Sequence, residues 1–415
     1  MYIPRTLDPA IREHLNRKEI TIITGPRQSG KTSLLQALYR ELKNEGQEVH
    51  YITFEDYDTL SAINTHPEEV FTFIPRPPKN LDSSDTTNKR SFLFIDEVQY
   101  ADNPSNLLKY LYDVYHKSLK IVATGSSVFY LDEKFTDSLA GRKRIFELKT
   151  LSFREFLVFK KSVLLHDELL RIRDNKEYIS SSRRELMQMF DEYLVFGGYP
   201  AIALENGEEE KVSLLKELRN SFLKKDMDEA AVSQPDKFYN FLAILAGQTG
   251  NLVNKNELAN TIGVDNKTID KYLHVLQKCF HIDLVRPFYS NLRKELTKMQ
   301  KVYFRDAGMR NVALNRFYDF RNRDDQGALL ENYVFKRLTD LYDKDNIKFW
   351  RTTVRHEIDF VTETSFQKGL AWEVKMNCRN IKSASINKFS EIYRAWQVKI
   401  ISYEIGPDCT WVLKL

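Results

Sequence analysis

The chain has 415 residues, with 62 basic against 58 acidic side chains and a formal net charge of +4. That length exceeds one ordinary hydrophobic core and predicts two or three domains. A charged fraction of 29% and a mean hydropathy of -0.46 exclude a bundle of membrane helices, because apolar stretches such as Phe241–Ala246 are far too short to span a bilayer. The near balance of charge permits nucleic-acid binding by a local patch without arguing for it. No basic, apolar, small-residue leader pattern opens the sequence. The three cysteines, Cys279, Cys378 and Cys409, form neither a zinc pattern nor a disulfide framework. A reducing, cytoplasmic setting without a membrane is therefore expected.

Residues 1–150 alternate apolar runs with amphipathic ones, the pattern of a parallel sheet with helices on both faces. Strands are predicted over 20–24, 48–54, 92–96, 120–124 and 145–148. The first ends in Gly25 to Thr32, GPRQSGKT, which fits G-x-x-x-x-G-K-[ST] without a gap, and a helical pattern follows from Ser33. Strand, loop and helix N-terminus in that order make an anion site, since free backbone N–H groups and the helix dipole point at phosphates. The expected nucleotide-binding run is Gly25, Pro26, Arg27, Gln28, Ser29, Gly30, Lys31, Thr32 and Ser33. Lys31 would reach the β- and γ-phosphates of ATP, and the Thr32 hydroxyl would ligate Mg²⁺.

Residues 75–89 read as a polar, proline-bearing surface loop. Ser91-Phe92-Leu93-Phe94-Ile95-Asp96-Glu97 is then a continuous apolar run closed by two acids, the mark of a central buried strand with its ligand-binding end at the acids. Asp96 is expected in the Mg²⁺ shell and Glu97 as the base for an attacking water. After the strand at 120–124, Ser126, with Thr124 next, is the polar residue expected beside the γ-phosphate. Arg142, directly after Gly141, is the arginine expected to contact the γ-phosphate, in its own or in a neighbouring subunit of a homo-oligomer. A solvated basic turn is the plainer alternative for Arg142.

Residues 151–235 carry helical periodicity, broken at Gly197-Gly198-Tyr199-Pro200. Residues 236–310 contain a short helix near Asn256–Ile262, a turn at Gly263-Val264-Asp265 and a second helix from Asn266, a helix-turn-helix. The runs 282–288 and 301–304 complete a winged helix as a hairpin. DNA, if bound, would meet Asn266, Lys267, Asp270 and Lys271 on the second helix and Arg293 and Lys294 in the wing. Such modules also serve as protein contacts.

Residues 311–415 hold a second constellation. Glu331 sits on a helical run, Asp359 on the strand pattern His356–Val361, and Glu373 and Lys375 share one face of the next strand. A helical Glu, an Asp and a Glu-x-Lys are a ligand set for Mg²⁺-dependent phosphodiester cleavage, with Asp359 and Glu373 on the metal, Lys375 orienting water and Glu331 assisting. The plainer alternative is a salt-bridged strand pair.

As a set, GPRQSGKT, FLFIDEVQ, ATGSS, SLAGR, LSFREF, VFGGYP, VYFRDAGMR and EIDF…WEVK resemble the AAA+-type P-loop ATPases of prokaryotes. In those proteins the C-terminal half is a domain of unknown function with a winged helix and a PD-(D/E)XK nuclease-like end. The resemblance implies an α/β P-loop sheet followed by a helical and winged-helix region and a small α/β nuclease-like domain. It also implies a nucleotide site of Lys31, Thr32, Asp96, Glu97 and Ser126. The sequence thus points to an ATPase coupling hydrolysis to conformational change on DNA. The alternative is a nucleotide-gated regulator or binding module with an inactive nuclease-like domain. A small-molecule kinase is disfavoured by the large extra half.

Overall fold

The computed structural model describes residues 2–78, 90–125, 139–175, 177–289, 292–380 and 383–415. The chain divides into two compact units: Met1–Thr150 with the short stretch Lys278–Phe280, and Leu151–Gln277 with His281–Leu415.

The first unit is built on a five-stranded sheet, all parallel, in the order β2-β3-β4-β1-β5. The strands are β1 (Ile20–Thr24), β2 (Val49–Thr53), β3 (Ser91–Asp96), β4 (Leu119–Gly125) and β5 (Lys143–Glu147). Every residue of β1 and β4 is buried, as continuous apolar runs require when helices cover both faces. The two faces separate by residue parity. Ile22, Ile95 and Ile121 pack with Leu107, Leu108 and Leu111 of the Pro104–Tyr115 helix. Their neighbours Ile23, Phe94 and Val122 pack with Leu34, Leu35 and Leu38 of the Lys31–Asn44 helix. Each such fully buried side chain contributes roughly 1.5–3 kcal/mol. The strand order places β4 between the two motif-bearing strands β1 and β3, so their C-terminal ends share one edge.

The second unit opens with the Phe153–Phe159 helix, which Ser152 and Glu155 cap reciprocally. The Arg183–Phe196 helix stops at Gly197, whose φ is +77°, and a new helix begins at Pro200. A Cβ at Gly197 would lie 2.1 Å from Asp306 Oδ1. Asp306 also accepts from the Gly198 and Gly308 amides, both at 2.9 Å, and so caps the Ala307–Leu314 helix. VFGGYP and VYFRDAGMR are thereby one packing joint. Within the second of them Arg310 is fully buried and pairs with Asp325 at 2.7 Å, and Arg305 pairs with Asp283 at 2.8 Å.

Helices Lys255–Ile262 and Asn266–Lys278 follow, with Gly263 left-handed between them and Asp265 accepting from the Thr268 amide at 2.7 Å. Strands β6 (Ile282–Val285) and β7 (Lys301–Phe304) then pair antiparallel. The remaining strands are β8 (Ile347–Arg351), β9 (Glu357–Ser365), β10 (Lys368–Lys375), β11 (Trp396–Ser402) and β12 (Thr410–Trp411), in the order β12-β11-β10-β9-β8. The β8–β9 and β9–β10 pairs are antiparallel, and β10–β11 is parallel across the Ser383–Ile392 helix. Phe389 of that helix packs with Trp350, Ile358, Ala371 and Trp396. The segment after β6 is joined to β8, since the Phe288 amide donates to Phe349 O at 2.6 Å and the Phe349 amide to Arg286 O at 3.1 Å.

The cysteine expectation requires correction. Cys378 and Cys409 form a disulfide, with Cα atoms 6.1 Å apart, and Cys279 is free and buried. Cys378 follows β10 and Cys409 precedes β12, and β11 pairs with both strands. The sheet therefore brings together residues that lie 31 apart in sequence, and the cysteine count no longer argues for a reducing compartment.

Gly197→Ala should destabilise the second unit by about 3 kcal/mol, combining a left-handed backbone with a clash against Asp306. Chemical denaturation of the two proteins checks this.

Candidate functional site

The phosphate loop is shaped by its glycines. Gly25 has φ +145°, and a Cβ there would lie 2.2 Å from Leu148 O. Gly30, at φ +98°, starts the Lys31–Asn44 helix. Between them Gln28 is left-handed at φ +56°. Pro26 and Ser29 are buried, Arg27 is half-buried, and Gln28 and Ser33 are exposed. Arg5 braces the loop from below, donating to Ser29 O at 2.9 Å and Lys149 O at 2.8 Å.

Lys31 is buried and donates to Gly25 O at 3.0 Å and Pro26 O at 2.9 Å. Burial lowers its ammonium to about 8, against the opposing pull of Glu97 and Asp96. Thr32 Oγ1 donates to Asp96 Oδ1 at 3.3 Å. The expected metal pair therefore meets at one point, and its hard oxygen donors fit Mg²⁺. Two further hydroxyls converge on Asp96: Tyr51, from β2, at 2.9 Å, and Thr124, from the end of β4. The Thr124 hydroxyl also accepts from the Glu97 amide at 2.9 Å. Glu97 itself is left-handed at φ +56°, and its carboxylate accepts from Gln99.

Ser126 lies outside the described residues. Of the two polar residues expected about the end of β4, Thr124 is a described one, and it contacts Asp96 and the Glu97 amide. Arg142 needs correction. Its carbonyl accepts from the Ile20 amide, at the start of β1, and its guanidinium pairs with Asp113 at 2.6 Å. The phosphate loop leaves the other end of that strand, roughly 13 Å away at the usual rise per residue. Arg142 therefore does not face the phosphate site of its own subunit. Tyr51 and Arg5 were not anticipated from sequence, and nothing in their neighbouring residues marks them.

The four residues of the second constellation also come together. The β9–β10 register pairs Trp372 with Phe360, and one step further sets Glu373 opposite Asp359. Asp359 Oδ2 accepts from the Val374 amide at 2.8 Å, and Lys375 Nζ lies 2.6 Å from Glu373 Oε1. Glu331, from the Gln326–Leu341 helix, interacts electrostatically with Asp359 and Glu373. Burial pushes Glu373 up to about 7, Asp359 adds to the shift, and Lys375 opposes it. Burial likewise lifts Glu331 to about 7, with Lys301 opposing and Asp359 adding. Lys301 of β7 was not anticipated. It sits 3.2 Å from Glu331 and 2.6 Å from Glu357. The sequence signal was a lysine opening the otherwise apolar strand pattern Lys301-Val302-Tyr303-Phe304. Among the described residues, no group of three or more His, Cys, Asp or Glu side chains is arranged to hold a metal; here Lys301 and Lys375 pair with the carboxylates instead.

On the second helix of the helix pair, Asp270 pairs with Lys255 at 2.5 Å and Lys271 donates to Ala231 O at 2.7 Å. Asn266 bonds Asn256 at 2.8 Å, Lys267 is exposed, and Arg293 is exposed in the segment between β6 and β7. Lys294 lies in the Leu292–Thr297 helix of the same segment.

Residues 17–157 match a family model described as an AAA domain. The first unit has a P-loop NTPase fold of AAA type. Residues 187–319 and 326–406 match two models described as domains of unknown function (DUF8612 and DUF4143). An uncharacterized protein of Methanocaldococcus jannaschii, MJ1544, is 28% identical over 83% of this chain and 72% of its own length. A second from that organism, MJ1637, is 25% identical over 95% of this chain and 82% of its own. A solved structure of the Aeropyrum pernix ORC1 protein in complex with DNA aligns over 81% of this chain and 95% of that chain, at 12% identity and a TM-score of 0.35. Among the described residues no helix is long and apolar enough to cross a membrane.

Lys31→Ala should weaken ATP binding by about 2 kcal/mol or more, roughly thirtyfold in Kd, because a charged donor to the phosphates is lost. Titration calorimetry on the two proteins measures it.

Proposed function

We propose that the protein binds ATP with Mg²⁺ and hydrolyses it, and that turnover changes the conformation of the chain. The carrying observation is the meeting of Thr32 and Asp96 at 3.3 Å beside the phosphate loop. Mg²⁺, when bound, would neutralise phosphate charge. The chain supplies the rest. Lys31 exchanges its two loop carbonyls for phosphate oxygens. Thr32 and Asp96 hold the metal. Tyr51 and Thr124 fix the Asp96 carboxylate in place. Glu97, held at the end of β3 by the hydrogen bond that its amide donates to the Thr124 hydroxyl, accepts a proton from the attacking water. Glu97→Gln should keep ATP affinity while lowering turnover about a hundredfold or more. Wild-type phosphate release by this variant would remove Glu97 from the mechanism.

For the second unit we propose a winged helix followed by a nuclease-like sheet directed at DNA. The helix pair with its hairpin and the convergence of Glu331, Asp359, Glu373 and Lys375 support this reading. A second reading, a nucleotide-gated regulatory module with an inactive nuclease-like domain, draws support from specific contacts. Asp270 and Lys271 already have partners within the unit, and the segment between β6 and β7 is bonded to β8. Salt dependence separates the two. A phosphate-contacting helix predicts steep loss of duplex binding with salt, and replacing Lys267 and Lys271 with Ala should shallow the log–log slope by roughly 2. Fluorescence anisotropy that shows no salt-sensitive binding would favour the regulatory module.

A further inference from the structure

Strand β7 carries a charge where its pattern calls for an apolar residue. All four of its residues are buried, and the Lys301 side chain is only 2% exposed. Its ammonium bridges Glu331 at 3.2 Å and Glu357 at 2.6 Å. Tyr303, two residues on and so on the same strand face, donates to the same Glu331 oxygen at 2.5 Å. A lysine this buried is costly unless acids pair with it. Burial alone would lower its affinity for a proton, yet Glu331, Asp359 and Glu357 outweigh that and raise it.

We propose that Lys301 is a built-in cation that holds the Glu331–Asp359–Glu373 cluster shut against Mg²⁺ or Mn²⁺, and that unseating the β6–β7 hairpin opens a divalent-cation site. The proposal rests on the nuclease-like reading of the second unit and adds its regulation.

Charge is the first support. Glu331, Glu357, Asp359 and Glu373 crowd against Lys301, Lys375 and Arg351, so the acids outnumber their cationic partners. The second support is an orphaned oxygen. Glu373 is 4% exposed, its Oε1 is taken by Lys375, and its Oε2 finds no hydrogen-bond partner among the described residues. A buried carboxylate oxygen left without a donor is destabilising, and a hard cation is the partner that would satisfy it. The third support is topological. The three cluster carboxylates sit on the Gln326–Leu341 helix, β9 and β10, whereas Lys301 arrives on a separate hairpin. That hairpin is clamped by Asn332, which bonds both the amide and the carbonyl of Phe304 at 2.7 and 2.9 Å, and by Glu295, which pairs with Lys348 at 2.7 Å. The Lys301 ammonium occupies Glu331, the one cluster carboxylate that it touches, so seating the hairpin competes with a divalent cation for that carboxylate.

The test is Mn²⁺ titration of the full chain without nucleotide, followed by the electron paramagnetic resonance signal of free Mn²⁺. Lys301→Met keeps an unbranched side chain one atom shorter and removes the charge; Lys301→Arg keeps the charge. Wild type and Lys301→Arg should take up no Mn²⁺ at the cluster. Lys301→Met should bind Mn²⁺ about tenfold more tightly or better, the scale on which partners of metal ligands act, and adding Asp359→Asn should abolish it. Where Lys301→Met is too unstable to titrate, Mn²⁺ should raise its Tm more than that of wild type, and Asp359→Asn should remove the difference. A folded Lys301→Met that binds no better than wild type overturns the proposal, as does an unstable one that Mn²⁺ does not rescue. Uptake by wild type that Asp359→Asn abolishes overturns the lock and keeps the nuclease-like reading. Uptake by neither folded protein removes the metal site and that reading together.

Discussion

The Asp96 carboxylate ties together the elements that make the nucleotide site. It is 4% exposed and accepts from Thr32 of the loop helix, Tyr51 of β2 and Thr124 of β4. A buried carboxylate is tolerated when donors replace the water it loses, and here the donors are neutral hydroxyls. Neutral donors hold the charge in position without cancelling it, so the site keeps its attraction for a cation. The ends of β3 and β4, the middle of β2 and one helix start are thereby brought to one point. The backbone makes this possible, because β4 lies between β1 and β3 and all three run the same way.

The second unit treats buried acids differently. Its carboxylates face ammonium groups, Lys301 on Glu331 and Glu357 and Lys375 on Glu373. Ammonium partners cancel charge as well as fix position. The two clusters have similar acidic residues and opposite electrostatic states. Hydroxyls hold the one, and ammonium groups hold the other.

The phosphate loop was legible because its chemistry is contiguous: eight successive residues carry the turn, the charge and the hydroxyl. The strands were legible because both faces of β1, β3 and β4 are covered, which leaves uninterrupted apolar runs. The edge strand β5 was displaced, starting at Lys143 rather than 145, because its charged Lys143–Arg144 end carries no apolar signal. Glu331, Asp359, Glu373 and Lys375 were legible through strand alternation and one helical acid. Tyr51 and Arg5 were not, since they act on residues 45 and 24 positions away and local pattern says nothing about such reach. The disulfide was hidden for the same reason. Within its own subunit Arg142 lies at the end of β1 away from the phosphate loop: a basic residue after a glycine has no sign in sequence for which end of the sheet it will occupy.

The Arg5 brace bears on where the first unit begins. The AAA-domain match starts at residue 17, yet Arg5 holds Ser29 O inside the phosphate loop and Lys149 O just beyond β5. An excised fragment cut to the limits of the family match would lose this guanidinium and leave the loop's underside to water. Any attempt to isolate the ATPase unit therefore has to start ahead of Arg5, and a fusion partner attached there would sit within a few residues of the nucleotide site.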